Sequence, residues 1–475
     1  MTGTRRDGER TTGQGDADDE PAKPSDASPT PPWPREADDP PASPGPSTSD
    51  DPDAPWRVIA PPRPAPQAPG SPLRTSLALG AGRVVASMSR RLRLGSGGMI
   101  GGRLALSLQP GLLARLAAGR RIVMITGTNG KTTTTALVAE ALRSRGSATS
   151  NVTGANMLDG HVAALMTDLS APFASLEVDE LHLAQVTAEF SPAVILLLNL
   201  SRDQMDRVGE IRTVQRSLRT ALEQAPQTRV VANRDDPNIV SVATGHPSVT
   251  WVSGGTRWTH DALNCPRCGA FITDLDGPWH CECGLSRPEA DWTVTETGIV
   301  GPDGRERELT LALPGHVNRV NAAFAVAAAT ELGCDPSEVL ARVADLRQAS
   351  GRYSTVLLDD RVVRLLLAKN PASWLEMLDL VSGHDRPLIL SVNSREADGY
   401  DVSWLWDVDF ATLQGRSVLV TGDRGLDLAV RLRYAGVSCE VAATAQDALA
   451  RSGPEPDVIA NYTAFRDLLA RSVVR

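Results

Sequence analysis

Residues 122–133 read Ile-Val-Met-Ile-Thr-Gly-Thr-Asn-Gly-Lys-Thr-Thr, and this stretch decides the fold. The apolar run Ile122–Thr126 predicts a strand, and the residues from Lys131 to Arg145 have the pattern of a helix. A glycine loop between strand and helix lets backbone N–H groups close around phosphate oxygens at the positive end of the helix. We therefore predict a nucleotide phosphate site at residues 127–133.

Two side chains of this loop have the chemistry that a phosphate site needs. Lys131 would contact the β- and γ-phosphates, and the Thr132 hydroxyl would bind Mg²⁺. The general P-loop pattern needs a glycine where this chain has Ile125, so the match is incomplete, and a tight turn without a ligand is the alternative. The predicted residues for binding ATP are Gly127, Thr128, Asn129, Gly130, Lys131, Thr132 and Thr133.

Strand-like runs alternate with helical stretches through the rest of the chain, which predicts the α/β class with parallel-rich sheets covered on both faces. In the first alternation the further strand candidates are Ser175–Val178, Val194–Asn199, Arg229–Ala232 and Val249–Val252. In the second they are Val362–Leu367, Leu388–Val392, Ser417–Val420, Cys439–Ala442 and Val458–Ala460.

The chain has 475 residues, enough for two or three domains. Residues 1–72 hold 18 of the 34 prolines and are predicted to form a disordered tail. We expect a basic helical lead-in at 73–120, a central ATPase domain at 121–349 and a C-terminal α/β domain at 350–475. The boundary between the last two falls near Ser350-Gly351-Arg352.

Charge and hydropathy indicate which partners the protein could bind and in which cellular compartment it lies. Residues 73–121 contain nine arginines and no acidic residue in a chain of net charge −9, which suggests either an anionic partner or a solvated arginine-rich helix. No apolar run approaches the roughly 20 residues of a membrane span, and the N-terminus lacks the pattern of a signal peptide. We therefore expect a cytoplasmic protein.

Four of the six cysteines form the pattern Cys265-x₂-Cys268-x₁₂-Cys281-x-Cys283. Two close thiol pairs suit a closed, tetrahedral Zn²⁺ site with a structural role, and a glycine directly after each pair allows a tight turn. We predict a zinc-ribbon insertion at about residues 257–290. Four thiols without a metal are the alternative.

Several stretches resemble one family in order and spacing. Gly-Thr-Asn-Gly-Lys-Thr-Thr at 127–133 is similar to the short P-loop of the Mur ligases, the ATP-dependent ligases of peptidoglycan precursors. The other matching stretches are Leu176–Glu180, Asn199–Asp206, Asn233–Pro237 and Gly315–Ala323. The cysteine pattern and Asp398–Phe410 resemble the branch of lipid II isoglutaminyl synthases. The resemblance covers about residues 75–475 and implies a Mur-ligase-like central domain with a Rossmann-like C-terminal domain.

The resemblance assigns roles to three further residues. It implies that Glu177 binds Mg²⁺, that Asn321 contacts adenine and that Arg352 approaches the γ-phosphate. A solvated acidic strand end, a helix cap and a surface arginine are the respective alternatives.

The resemblance also implies ammonia as the nucleophile and a second subunit. Many Mur ligases that add amino acids hold a second Mg²⁺ with a carbamoylated lysine, and the only lysines here are Lys23, Lys131 and Lys369. Ammonia would come from a separate GatD-like glutaminase in a heterodimer, whose histidine Asp401 would orient. A helix cap is the alternative for this aspartate, and Asp398, Asp407 and Asp409 are rival candidates.

The expected function is therefore ATP-dependent amidation of the D-isoglutamate α-carboxylate in the lipid II stem peptide, through an acyl phosphate. This lipid-linked substrate would bring the protein to the inner face of the cell membrane. A ligase that adds an amino acid, of Mur or folylpolyglutamate type, is one rival. A nucleic-acid-binding zinc-ribbon ATPase is another, which the acidic balance outside the arginine-rich band disfavours, so no nucleic-acid partner is expected.

Overall fold

The computed structural model describes residues 72–91, 98–151, 155–202, 210–255, 258, 260–275, 277–346, 353–396 and 398–474. The predicted tail, apart from its last residue, and the predicted boundary at Ser350-Gly351-Arg352 lie outside these ranges. The basic segment contains three helices, α1 (Pro72–Arg91), α2 (Gly98–Leu108) and α3 (Leu112–Ala117). None of the helices in the described ranges is both long and apolar enough to cross a bilayer.

The first sheet has nine strands in the order β2-β3-β1-β4-β5-β6-β7-β8-β9. All neighbours from β2 to β7 pair in parallel, whereas β8 pairs antiparallel with both β7 and β9. The strands are β1 (Arg121–Thr126), β2 (Ala148–Ser150), β3 (Phe173–Glu177), β4 (Val194–Leu197), β5 (Arg229–Asn233), β6 (Val249–Ser253), β7 (Trp292–Val294), β8 (Gly298–Val300) and β9 (Glu306–Glu308). Because β1 lies between β3 and β4, the strand order reverses at its carboxyl end, where α/β sheets open a crevice for ligands.

Helices cover both faces of this sheet, with one apolar cluster on each face. The alanine-rich α9 packs on α4, since its residues from Ala322 to Ala329 are buried and mostly small. The helices are α4 (Lys131–Leu142), α5 (Leu158–Leu165), α6 (Leu183–Glu189), α7 (Glu210–Gln224), α8 (Pro237–Ala243), α9 (His316–Glu331) and α10 (Pro336–Val343). A short 3₁₀ helix, His260–Ala262, precedes the cysteine cluster.

The second sheet has seven strands in the order β14-β13-β12-β15-β11-β10-β16. Its five strands from β14 to β11 in that order pair in parallel, and β10 pairs antiparallel with β11 and β16. The strands are β10 (Tyr353–Leu358), β11 (Arg361–Leu367), β12 (Leu388–Ser391), β13 (Val418–Thr421), β14 (Cys439–Val441), β15 (Asp457–Ala460) and β16 (Val473–Val474). The helices are α11 (Pro371–Ser382), α12 (Gly425–Tyr434), α13 (Ala445–Arg451) and α14 (Tyr462–Ala470), with 3₁₀ turns at Ser403–Asp407 and Phe410–Leu413.

The predicted strands are therefore confirmed, each within about two residues. The strands that the sequence pattern did not predict are β2, β7, β8, β9, β10 and β16, and of these β10 directly precedes the first predicted strand of the second sheet. Each sheet with its covering helices forms one α/β layer. The first layer carries the glycine loop at the carboxyl end of β1.

Candidate active site

The backbone of the glycine loop requires glycine at two positions. Gly127 has φ 135° and Gly130 has φ 87°, both in the region that side chains disfavour. A Cβ on Gly127 would lie 2.9 Å from the backbone nitrogen of Asn199, and one on Gly130 would lie 2.8 Å from Oδ1 of Asn321. Helix α4 starts at Lys131 without a side-chain cap, so its first N–H groups face the loop. These features fit a bound phosphate chain.

A neighbouring strand end holds this loop in position. The Asn199 side chain accepts a hydrogen bond from the Asn129 N–H at 2.9 Å and donates to the Asn129 carbonyl at 3.0 Å. The Thr128 hydroxyl accepts from the Ser201 N–H at 3.0 Å. The sequence analysis gave Asn199 no role, although an amide directly after a strand beside the loop strand was an available signal.

Lys131 and Thr132 each meet a carboxylate. The Lys131 ammonium is buried, donates to the Gly127 carbonyl at 2.6 Å and forms an ion pair with Glu180 at 2.8 Å. The Thr132 hydroxyl donates to Oε2 of Glu177 at 2.8 Å. A hydroxyl and a carboxylate in contact are a suitable oxygen pair for Mg²⁺. Glu180 is a site residue that the sequence analysis missed, although it ends the quoted stretch 176–180.

The backbone of Glu177 is fixed by two side chains. Asn151 accepts from the Glu177 N–H and donates to its carbonyl, both at 2.8 Å. The Nε2 atom of His161 lies 2.8 Å from the same carbonyl, and because a carbonyl only accepts, Nε2 carries the proton. Burial lowers the pKa of His161 to about 4, so the ring is neutral near pH 7.

A cleft opens between the glycine loop and residues of the second sheet's layer. Asn321 is buried beneath Gly130 in its wall, and its place inside α9 excludes the helix-cap alternative, because Gly315 holds that position. Asn370, which caps α11, exchanges amide contacts of 3.4 Å with Asn129. Asn321 is therefore placed to meet a ligand in the cleft. Arg352, the predicted γ-phosphate residue, lies outside the described residues.

The four candidate aspartates differ in their partners. Asp398 accepts from the backbone and hydroxyl of Thr463, and Asp407 pairs with Arg202 at 3.2 Å. Asp401 is exposed and accepts from the Ser403 N–H at 2.7 Å, and Asp409 accepts from the Ala411 N–H at 3.0 Å. Asp401 is not the N-cap weighed as its alternative, because Val402 holds that position, but its carboxylate does accept from the first residue of the 3₁₀ turn. The Ser403 N–H also holds the pKa of the Asp401 carboxyl below its usual range, so it is ionised at neutral pH.

Large apolar side chains are exposed on the segment that carries Asp401 and on α12. Tyr400 precedes Asp401 and is 67% exposed, and the Trp406 and Tyr434 rings meet with centroids 5.4 Å apart. We call the exposed apolar side chains of α12 together with Trp406 the α12 patch, and it consists of Trp406, Leu426, Val430 and Tyr434. Apolar patches of this kind on soluble proteins are typical of interaction surfaces.

The segment that carries Asp401 also contacts the domain of the glycine loop. Arg202 pairs with Asp407 from this segment and with Asp261. It directly follows Ser201, whose N–H binds the Thr128 hydroxyl of the loop. The second layer is therefore joined to the edge of the loop by Arg202 and Asp407 as well as by the Asn129–Asn370 contact.

The four clustered cysteines meet between β6 and β7. All four sulfur atoms lie within 4.8 Å of one another, with Cys265 and Cys283 at 3.5 Å and Cys268 and Cys281 at 3.3 Å. Tetrahedral Zn²⁺ with sulfur at about 2.3 Å needs sulfur separations of just under 4 Å, so the donor set fits this metal. The glycines after the two pairs, Gly269 and Gly284, have φ of 79° and 85° and make the expected tight turns.

Comparison with known proteins assigns the family. The Mur ligase middle domain model matches residues 125–329, and the MurT ligase C-terminal model matches residues 367–465. A Streptococcus pneumoniae protein, the MurT subunit of lipid II isoglutaminyl synthase (glutamine-hydrolyzing), is 32% identical over 85% of this chain and 99% of its own. The chain belongs to the MurT family. A MurT subunit from Staphylococcus aureus is 27% identical over 72% of this chain and 83% of its own.

Solved structures show the same fold for this MurT family member. A pseudomurein peptide ligase type C from Methanothermus fervidus superposes with a TM-score of 0.58 at 17% identity, over 75% of this chain and 80% of that one. The Mur-ligase-like α/β architecture with two sheets, which the resemblance implied, is thereby confirmed. The MurT ligase C-terminal match includes Asp401 and the α12 patch.

Proposed function

We propose that this chain is the ATP-dependent, amide-forming subunit of a lipid II isoglutaminyl synthase. It converts the α-carboxylate of D-isoglutamate in the lipid II stem peptide to the amide of D-isoglutamine, at the inner face of the cell membrane. The observation that carries this proposal is the 32% identity to a MurT subunit over 99% of its length. That match extends over both the glycine-loop domain and the second layer.

The first half of the reaction takes place at the glycine loop. A carboxylate oxygen of the substrate attacks the γ-phosphorus of ATP, which gives an acyl phosphate and ADP. Lys131 would offset the charge that develops on the transferred group, once the triphosphate replaces Glu180 as its partner. Thr132 and Glu177 would hold Mg²⁺, which neutralises charge on the β- and γ-phosphate oxygens. We also propose that Arg352 approaches the γ-phosphate and that Asn321 contacts adenine.

In the second half, ammonia attacks the acyl carbon, the carbon–oxygen bond to phosphate breaks, and the nitrogen loses a proton to give the amide. Ammonia as the nucleophile agrees with the positions of the lysines. Lys131 belongs to the loop, and Lys369 lies between β11 and α11. No lysine of the described central domain other than Lys131 could hold a second Mg²⁺ as a carbamate. This supports amidation over the addition of an amino acid.

A separate, GatD-like glutaminase would supply the ammonia. Outside the cysteine cluster this chain has only Cys334, which is buried, and Cys439, so a glutaminase nucleophile is expected on another polypeptide. Asp401 is exposed five residues before Trp406 of the α12 patch, and it is suited to orient a histidine of that partner. The contact between Arg202 and Asp407 supports a short path from such an interface to the glycine loop.

The four cysteines would hold one structural Zn²⁺. Cys265 and Cys281 are buried in a small apolar core with Trp279 and Leu285. Arg287 from the same insertion forms an ion pair with the buried Asp235 after β5. The metal would therefore fix an insertion that packs on the end of the first sheet. Four thiolates leave no open position for water, which argues against a catalytic metal.

The test is reconstitution with the glutaminase encoded by a neighbouring reading frame. The co-purified pair is incubated with lipid II, ATP, Mg²⁺ and glutamine, and the stem peptide is analysed by mass spectrometry. We expect conversion of one carboxylate to an amide, with ATP hydrolysis that depends on lipid II. A product extended by an amino acid, or ATP hydrolysis indifferent to lipid II, would overturn the proposal.

A further inference from the structure

The outer faces of α1 and α2 expose large apolar side chains that no other part of the described structure covers. On α1, Leu77, Val84 and Met88 are 70%, 58% and 54% exposed, and their spacing of seven and four residues places them on one side of the helix. On α2, Met99 and Ile100 are about half exposed. We call these five residues the outer face.

The pattern of α1 is the reverse of that in an ordinary surface helix. Its inward side carries small residues, Ala78 and Gly82, and a Cβ on Gly82 would lie 2.9 Å from the carbonyl oxygen of Gly101 on α2. Leu79 is partly buried against the same core, whereas the large apolar side chains of Leu77, Val84 and Met88 are exposed. Core packing explains the small residues, whereas the outer face needs a partner with an apolar component.

Positive charge surrounds this apolar surface. Residues 73–121 contain nine arginines and no acidic residue. Arg74 lies one turn before Leu77, Arg91 one turn after Met88, and Arg103 one turn after the α2 pair, and all three are exposed. These apolar side chains lie among arginines and have no acidic neighbours in sequence. Such a combination complements a surface whose outer part is anionic and whose inner part is apolar.

The helices that carry the outer face are connected to the proposed reaction site through α5. The backbones of α2 and α5 touch, since a Cβ on Gly102 would overlap the carbonyl of Asp159. Two residues further along α5, His161 binds the carbonyl of Glu177. The helix pair is therefore separated from the proposed Mg²⁺ carboxylate by one short helix.

We propose that the outer face of α1 and α2 docks this protein on anionic phospholipid at the membrane surface. Its apolar side chains enter the boundary between headgroups and acyl chains, and Arg74, Arg91 and Arg103 bind the headgroup phosphates. The inference rests on the proposed function only in that a lipid-linked substrate makes a membrane the relevant surface. Docking would hold the glycine loop near the plane in which lipid II diffuses.

The test is co-sedimentation of the full chain with vesicles of phosphatidylcholine alone or mixed with phosphatidylglycerol. We expect binding to the anionic vesicles that weakens as salt is raised. Replacing two arginines, in Arg91→Gln/Arg103→Gln, should weaken that binding about thirtyfold at low salt. The variant Leu77→Ser/Val84→Ser/Met88→Ser should also lose it, because the apolar anchors are gone.

A matched control replaces exposed apolar residues elsewhere, in Leu426→Ser/Tyr434→Ser of the α12 patch, and should bind vesicles as the wild type does. Failure of the wild type to bind, equal binding by the apolar variant, or equal binding to neutral vesicles would overturn docking. Amidation of a water-soluble, short-tailed lipid II analogue is measured in parallel. Retained activity on this analogue with no vesicle binding would overturn docking alone, whereas loss of amidation in the wild type would count against the proposed function.

Discussion

Single residues of the site already contact partners that a bound nucleotide would have to replace. Lys131 is 8% exposed, and a buried ammonium needs a partner, which Glu180 provides at 2.8 Å. Triphosphate oxygens would take over this role when ATP binds. Glu177 is prepared differently, since Asn151 and His161 fix its backbone and leave its carboxylate at the Thr132 hydroxyl.

We predict that Lys131→Ala lowers lipid-II-dependent ATP hydrolysis by about 10²–10³-fold, the loss that follows removal of one preorganised donor to a developing charge. The matched control is Arg143→Ala, which removes an exposed cation directly after the same helix and should leave turnover unchanged. Steady-state hydrolysis is measured for both, with circular dichroism to show that each is folded. Near-normal turnover of folded Lys131→Ala would remove the phosphate assignment.

His161 predicts how stability depends on pH. Its pKa is lowered by burial from 6.5 to about 4, so between these values the unfolded chain binds more protons than the native one. The stabilising contribution is therefore fully present above pH 6.5 and is lost as the pH falls to 4. The 2.5-unit difference corresponds to a loss on the order of 3 kcal/mol.

Urea unfolding at pH 7 and pH 4.5 checks this for the wild type and His161→Gln, whose amide can still donate to the Glu177 carbonyl. The variant should lose less stability on acidification than the wild type. His182→Gln, which changes a partly exposed histidine, serves as the control and should behave as the wild type does. Equal acid destabilisation of the wild type and His161→Gln would show that His161 is not the titrating group.

Among the helices and strands, those with a characteristic side-chain pattern could be predicted from the sequence. Strands that form only through backbone pairing at a sheet edge could not. The strand, glycine loop and helix at 122–145 were predictable because each part restricts residue type. Strand β9 was not, since Glu306-Arg307-Glu308 carries no apolar alternation and pairs only at a sheet edge. Asn199 and Glu180 were missed for a related reason, because their contacts join segments 70 and 49 residues apart.

The cysteine insertion is the element whose order depends most on a ligand. We predict one tightly held Zn²⁺ per chain, and Cys283→Ser should lose the metal and lower the thermal midpoint, because metal binding stabilises the fold that presents its ligands. Cys439→Ser, outside the cluster, should keep both. Plasma emission spectrometry and calorimetry measure the two properties. Full metal content in Cys283→Ser would contradict the four-thiolate site.

Among the residues that the structure describes, both layers contribute to the wall of the cleft at the glycine loop. Asn129 of the loop contacts Asn370 of the second layer, and Arg202 beside the loop pairs with Asp407. The sequence indicated two domains, with the phosphate and cysteine sites in the first and Asp401 in the second. These joining contacts lie between segments more than 200 residues apart and left no local pattern. They place the segment that carries Asp401 beside the domain in which the acyl phosphate would form.

The central claim is that ATP activation and ammonia supply are separate halves joined at Asp401. The measurement is amidated lipid II formed by the reconstituted pair with glutamine or with concentrated ammonium, for the wild type, Asp401→Asn and the control Asp409→Asn. Both aspartates are exposed and accept a backbone N–H at the start of a 3₁₀ turn, a role that an asparagine side chain also fills, so neither substitution should lower the stability much. Only Asp401 is proposed to orient the partner's histidine.

We expect Asp401→Asn to lower glutamine-dependent amidation by up to about 10⁴-fold, as an aspartate-to-asparagine change does in a serine-protease triad, while ammonium restores product. Asp409→Asn should keep both activities. If ammonium fails to rescue a folded Asp401→Asn complex, or if both variants retain glutamine-dependent amidation, the account is contradicted.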